Sequence, residues 1–279
     1  MNTLFAIPAY QEATRIGKLL DLMAHLRKDT LVIDDGSTDA TSEVVQNRGF
    51  RLIRHPENGG LEAAYESANL YARSNHYTQV IALDADGQHD PAYLPEFIRG
   101  LGHYDLVSGD RFHNLQEVPE SKIASNLFAI LLVREATGIL LPDVSCGFRG
   151  WKLTAGELPQ QKQIARSGSG HHRFGAIYRM LLDHLAIGET VGFVKIPAIY
   201  PPENPTHTRV QEIVGLVSAL LNFRPSAKLQ SILRDVRDKK HLTMNIQDLR
   251  FELVPETADA YRFVTDPEMA VNRMTSIHR

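Results

Sequence analysis

Four short apolar runs, each closing on a polar turn and followed by helical spacing, constrain this chain more than any other feature. Leu4 to Ile7 is closed by Pro8, and Leu31-Val32-Ile33 enters Asp34-Asp35-Gly36-Ser37-Thr38-Asp39. Phe50 to Ile53 leads to Glu57-Asn58-Gly59-Gly60, and Val80 to Leu83 runs into Asp84-Ala85-Asp86-Gly87-Gln88-His89. Helical spacing fills the intervals: Ile16, Leu19, Leu20, Met23 and Leu26, then a helix through Val44 and Val45, then Leu61 to Ala72, then Pro91 to Ile98. Asp105 to Ser108 reads as a fifth strand. This βαβα order predicts an α/β fold with a mostly parallel central sheet in a Rossmann-like three-layer sandwich. In such sheets ligands sit outside the carboxyl ends of the strands, where all these polar turns fall.

The second half is less regular. Ile123 to Thr137 reads as a partly buried helix, Arg166 to Gly170 as a mobile loop, Phe174 to Leu185 as a helix and Val191 to Ile196 as a strand. Tyr200-Pro201-Pro202-Glu203-Asn204-Pro205 excludes helix and central strand, because three prolines remove donors and fix the backbone. A helix from Val210 to Leu221 precedes a polar tail in which one strand, Leu249 to Val254, is expected. The expected organisation is one domain over residues 1–224 and a small C-terminal appendage over residues 225–279. A homodimer contact and docking on a membrane surface are both compatible with that appendage.

A formal net charge of -3 argues against nonspecific nucleic-acid binding, which wants a basic excess. A single cysteine, Cys146, excludes an internal disulfide framework and fits a reducing compartment. The N-terminal residues show no basic region followed by a longer apolar stretch, so no signal peptide is expected. The apolar stretch from Ile123 to Leu141 is broken by Arg134 and Glu135, and Ile213 to Leu221 is too short to span a bilayer. The expected location is cytoplasmic, with any membrane contact peripheral, at the inner face.

Asp84 and Asp86 follow a buried strand at i, i+2 spacing, which turns both carboxylates to the same side of the sheet. Two adjacent anions are costly to bury unless a cation neutralises them. Mg2+ or Mn2+ is the expected ion, since hard cations prefer oxygen ligands and stay bound to substrate phosphates.

Five segments, in order, carry a resemblance: Pro8-Ala9-Tyr10-Gln11-Glu12, Asp34 to Thr41, Asn58-Gly59-Gly60, Asp84 to His89, and Asp143-Val144-Ser145-Cys146-Gly147-Phe148-Arg149. Together they resemble a family 2 glycosyltransferase of the GT-A fold and, more narrowly, are similar to the dolichyl/polyprenyl-phosphate mannose or glucose synthase branch. The resemblance covers roughly residues 4 to 222 and implies an inverting transfer of a hexose from a nucleotide-diphosphate sugar to a lipid-phosphate or glycan acceptor. It implies that Pro8, Ala9, Tyr10 and Glu12 border the nucleoside, and that Asp35 accepts a hydrogen bond from the base. Gly59, Asp84, Asp86 and Arg209 complete the implied nucleotide-sugar contacts. Asp84, Asp86 and the Gln88 oxygen are the implied metal ligands, with Asp86 also catalytic.

Asp34 is read as a turn or helix-cap residue, and His89 as a surface or capping residue. Arg111 meets phosphate or acceptor, or else sits in an exposed salt bridge. The resemblance puts Ser145, Arg149 and Thr208 on the acceptor side, while Gly147 is read as permitting close backbone approach and Phe148 as core. A phosphate acceptor is already anionic and needs no general base. A hydroxyl acceptor would need one, and Asp143 is the candidate, with helix capping as its other reading.

The chain also departs from that branch. Where the branch carries an Arg-x-x-Gly-x-Ser-Lys run, this chain has Glu203 to Arg209, in which Thr208-Arg209 stands in for Ser-Lys. The stretch from Arg166 to Arg173, with His171 and His172, either closes on the donor or is a surface loop. A nucleotidyltransferase is the rival enzyme, but the turn from Pro8 to Thr14 has no glycine to cradle a triphosphate. A non-catalytic binding module on the same fold is the remaining alternative.

Overall fold

Strands buried on both faces read as continuous apolar runs rather than alternating ones. In the computed structural model, which describes residues 2–116, 118–153, 175–200, 208–257 and 260–278, those runs become β1 (Thr3–Ala9), β2 (Thr30–Asp34), β4 (Gln79–Ala82) and β5 (Leu106–Asp110). β3 (Arg51–Arg54), partly exposed, lies at one edge, and β6 (Arg149–Lys152) and β7 (Val191–Lys195) complete a seven-stranded sheet in the order β3-β2-β1-β4-β6-β5-β7. β1 pairs in parallel with β2 and β4, and β2 with β3. β6 runs antiparallel to both β4 and β5. This is the GT-A architecture expected above, with one inserted strand that the sequence reading did not contain.

β6 has no legible local pattern because its neighbours make it a strand. A Cβ on Gly150 would meet Leu101 Cδ1 at 2.9 Å and Ile81 Cγ1 at 3.0 Å, so only glycine lets β6 lie this close. Next to it, Trp151 Nε1–H donates to Asn69 Oδ1 at 2.9 Å, and the indole packs 5.3 Å from the Tyr65 ring.

β1 does not stop at Pro8 but continues to Ala9. Ala9 faces β2, since its carbonyl accepts from Asp35 N–H at 2.8 Å, so Pro8 nitrogen faces β4. Pairing on that side has already ended at Ala6 opposite Ala82, with Leu83 N–H donating to the Ala6 carbonyl. The missing donor of Pro8 therefore costs no ladder bond and lies where the chain leaves β4 for the Asp84 turn.

The described residues form two compact units. The first takes the chain up to Gly109, then Gly147 to Leu153 and Ile187 to Val194, and holds the seven-stranded sheet. Its helices are α1 (Ile16–Leu22), α2 (Thr41–Asn47), α3 (Leu61–Ser74) and α4 (Leu94–Leu101). The expected first helix gives way after Leu22 to a 3-10 turn over Ala24–Asp29, and a 3-10 turn over Pro91–Tyr93 leads into α4.

The second unit takes Asp110 to Cys146, the helix at 176–186 and the chain from Lys195 onward. At its centre is α5 (Glu120–Thr137), eleven of whose eighteen residues are buried, so it is interior rather than amphipathic. The other helices of this unit are α6 (Ala176–Ala186), α7 (Val210–Phe223), α8 (Ala227–Arg237) and α9 (Pro267–Ile277). Strands β8 (Thr208–Arg209), β9 (Leu242–Ile246), β10 (Leu249–Pro255) and β11 (Ala260–Val264) form an antiparallel sheet in the order β8-β11-β10-β9. Phe128 of α5 seats this sheet, its ring 5.5 Å from Phe251 and 5.1 Å from Phe263.

Of the tail, β10 was legible and the rest was not. The β9–β10 hairpin turns on Gln247 and Asp248, with φ 49° and 68°, where a glycine would have announced it. Residues 225–279 share their unit with α5. Among the described residues no helix is long and apolar enough to cross a membrane.

Candidate active site

The carboxyl ends of β1, β2 and β4 gather the polar turns of the first unit. Asp34, with no exposure, accepts Ser37 N–H at 2.8 Å and the Ser42 hydroxyl, so it is the turn residue expected rather than a ligand group. Gln11 takes a positive φ of 60° and bridges two turns: its N–H donates to Ser37 Oγ at 2.9 Å and its amide to Thr38 Oγ1 at 2.7 Å. This leaves Tyr10 exposed at the rim and Ala9 buried beneath it.

Asp35 is 5% exposed and heavily engaged. Oδ1 accepts from Gly59 N–H at 2.9 Å and meets His55 Nδ1 at 2.7 Å, while Oδ2 accepts from Gly60 N–H at 2.7 Å. A carboxylate has about four lone-pair directions, so one remains. His55 carries the chain of contacts on to Ser67 Oγ at 2.8 Å. Sequence reasoning passed over His55, although it stands directly after the third strand and three residues before Asn58-Gly59-Gly60. A Cβ on Gly59 would lie 2.7 Å from Ala63 Cβ, so α3 can start only from a glycine there.

The Asp84 to His89 turn is held from several sides. Asp86 Oδ1 accepts from Gln88 N–H and Oδ2 from Gln88 Nε2, both at 3.0 Å. Gln88 thus turns its amide nitrogen toward Asp86. His89 is a capping residue but not a surface one. It is 4% exposed, its Nδ1 accepts Asp84 N–H at 2.9 Å, and its ring lies 5.2 Å from Phe148, which stacks in turn on Phe97 at 4.0 Å. Phe148 is core, as expected.

Gly147 permits the close approach assigned to it, and the approaching group is Asp84. A Cβ at Gly147 would lie 2.6 Å from Asp84 Oδ2 and 3.2 Å from its Cγ.

Burial and the neighbouring Asp84 charge raise the pKa of Asp86 above the usual carboxylate range. Glu12 is pushed up to about 7, chiefly by burial and further by Asp86, against the pull of Arg15, whose Nε lies 2.7 Å from Glu12 Oε2. Among the described residues no three His, Cys, Asp or Glu side chains are arranged to hold a metal ion. The Asp84–Asp86 pair fits an ion that takes its remaining ligands from water and phosphate, and its raised proton affinity is relieved by such a charge.

In the second unit, Arg111 and Asp143 form a two-pronged pair. Arg111 Nε donates to Asp143 Oδ2 at 2.8 Å and Nη2 to Asp143 Oδ1 at 3.0 Å. The Arg111 side chain is 14% exposed and Asp143 not at all, so this is a buried pair and not the exposed salt bridge of the alternative reading. Burial opposes the charge of Arg111, yet Asp143 holds its pKa well above the usual value. Ser145 joins the pair: its N–H donates to Asp143 Oδ1 at 2.9 Å, and its Oγ accepts from Arg111 Nη2 at 2.7 Å. Arg111 N–H adds a fourth, longer bond to Asp143 Oδ2 at 3.4 Å, so Asp143 is a turn residue for Ser145 rather than a helix cap, and its lone pairs are spent.

Arg149, expected on the acceptor side, has no exposure and lies within β6 opposite Ala82 and Ser108. A strand position inside the sheet buries it. Thr208 and Arg209 form the edge strand β8 against Ala260 and Tyr261. The stretches 166–173 and 201–207 lie outside the described residues.

The same chain matches the Glycosyl transferase family 2 description over residues 5–179. It belongs to that family. Family 2 membership sets it with glycosyltransferases rather than nucleotidyltransferases. Among its relatives is an undecaprenyl-phosphate mannosyltransferase from Micrococcus luteus, 27% identical over 54% of this chain and 67% of that one. Another is a dolichyl-phosphate β-glucosyltransferase from Trichomonas vaginalis, 35% identical over 53% of this chain and 50% of that one. Among solved structures, glucosyl-3-phosphoglycerate synthase from Mycobacterium tuberculosis, in complex with Mn2+, UDP-glucose and phosphoglyceric acid, has the same fold. It superposes with a TM-score of 0.57 at 16% identity, covering 93% of this chain and 89% of that one.

Proposed function

We propose that this family 2 member transfers a hexose from a nucleotide-diphosphate sugar of the GDP-mannose or UDP-glucose type to a polyprenyl phosphate, in one inverting displacement. The observation that carries the reading is the Asp84–Asp86 pair at the carboxyl end of β4, where Gly147 leaves room for the Asp84 carboxylate. The names of the mannosyl- and glucosyltransferase relatives support the lipid-phosphate acceptor.

Asp84, Asp86 and the Gln88 side chain are the residues that would hold Mg2+ or Mn2+, which when bound neutralises charge on the diphosphate leaving group. Pro8 and Ala9 offer backbone to the base, and the remaining lone pair of Asp35 takes a base N–H. Glu12 and Tyr10 border the same end of β1, and Thr208 and Arg209 meet phosphate. Arg111, with Ser145 beside it, faces the acceptor phosphate. An anionic phosphate attacks without a general base, which agrees with an Asp143 carboxylate already committed to Arg111 and Ser145. The reaction then runs at the cytoplasmic membrane face, with the protein peripheral.

The test incubates the protein with Mn2+, undecaprenyl phosphate and either donor, and looks for the lipid-linked hexose by mass spectrometry. A β-linked lipid product from an α-linked donor is expected. Metal-dependent GDP or UDP release without a lipid product would remove the acceptor, and no release at all would leave a non-catalytic module.

A further inference from the structure

Around Arg111 the acceptors are engaged while two donors are not. Nε and Nη2 serve Asp143 and Ser145, and among the described residues nothing accepts from Nη1. The Ser145 hydroxyl has one hydrogen and two acceptors in reach: Asn126 Oδ1 at 2.9 Å and Asp143 Oδ1 at 3.3 Å. The nearer one is on α5. With its hydrogen turned to Asn126, Ser145 presents lone pairs to Arg111, and Asp143 Oδ1 is left to the guanidinium and the Ser145 N–H. Asn126 is 4% exposed, and its own Nδ2 finds no acceptor among the described residues. Burying an unpaired amide donor lowers stability, and a residue there for packing alone would not need one.

We propose that Asn126 is a positioning residue which, through the Ser145 hydroxyl, fixes the Arg111 guanidinium so that Nη1 is presented to an anion, the phosphate of the acceptor. Donors without unspent acceptors recognise groups that only accept, such as phosphate oxygens. The inference rests on the proposed function only in calling that anion the acceptor's.

Inorganic phosphate is the probe, titrated into the full chain labelled with 15N-arginine. The readout is the Arg111 Nε–H resonance, assigned by its loss in Arg111→Lys. Phosphate shifts this resonance in the wild type, and Asn126→Leu and Ser145→Ala each weaken binding about tenfold. The double variant binds no more weakly than Ser145→Ala alone, because the two residues act in series. Losses that add, an Asn126→Leu variant that binds as the wild type does, or a wild-type resonance indifferent to phosphate would each overturn the proposal. Melting curves report whether Asn126→Leu folds; if it does not, Asn126→Ser enters the same cycle. The cycle needs no donor, metal or turnover, so its failure leaves hexosyl transfer standing and a failed transfer assay leaves the cycle standing.

Discussion

Asp86 is a carboxylate that the fold holds at a cost. Burial and Asp84 raise its pKa, so its ionised form is less welcome in the folded protein than in the unfolded chain. The sign follows: for an acid whose folded pKa is raised, the penalty is full above that value and fades as pH falls through it. Asp86→Asn should therefore melt at or above the wild-type temperature in metal-free buffer at pH 8, and the advantage should shrink in mild acid. The same variant should lose about a thousandfold or more in transfer. A fall of several degrees in its melting point at pH 8 would instead make Asp86 a structural residue. Gly147→Ala makes the complementary prediction. Its Cβ would displace the Asp84 carboxylate, so nucleotide-sugar affinity should drop with a stability loss of about 1–3 kcal/mol, read by denaturant titration. Both residues could be singled out in the sequence because acidic pairs after an apolar run and a glycine in a polar segment are local signals. Asn126 gave no such signal and His55 only its place after the third strand, since their partners are 19 and 20 residues away.

Elements succeed or fail as sequence readings according to where their reasons lie. β1, β2, β4 and α3 announce themselves because burial on both faces, or a glycine start, is written into consecutive residues. β6 and β9 do not, because one depends on space left by distant side chains and the other on a glycine-free turn. α3 should respond to Asp35→Asn: an amide N–H2 would face one of the Gly59 and Gly60 N–H donors, costing about 1–3 kcal/mol and loosening the start of the helix. Hydrogen exchange at Gly59 and Gly60 checks this, and unchanged protection would count against it. α9 carries a pH dependence. His278 Nδ1 lies 2.7 Å from the Met274 carbonyl and Nε2 3.0 Å from Asp110 Oδ1, two acceptors that only the protonated ring serves together. Burial opposes that charge, but Asp110 and the Met274 carbonyl outweigh it and the pKa rises above 6.5. A raised histidine pKa adds stability that is complete below about 6.5 and lost as pH rises through the folded value. His278→Phe should flatten the fall in denaturation midpoint across that window, and an unchanged slope would refute the assignment.

At the scale of the whole molecule, both compact units carry part of the proposed chemistry in their own residues: the Asp35 and Asp84–Asp86 turns in the first, Arg111, Asp143 and Ser145 in the second. The parallel sheet was legible because alternating strand and helix signals leave few topologies. The extent of the second unit was not, because its three stretches are distant in sequence. The claim on which the account turns is that the acidic pair after β4 and a divalent cation together hold the diphosphate of a nucleotide sugar. Calorimetric titration of GDP-mannose and UDP-glucose into wild type and Asp86→Asn, with and without Mn2+, measures it directly. One donor should bind the wild type only with Mn2+ present and bind Asp86→Asn in neither condition. Equal affinity in all four cases would contradict the account.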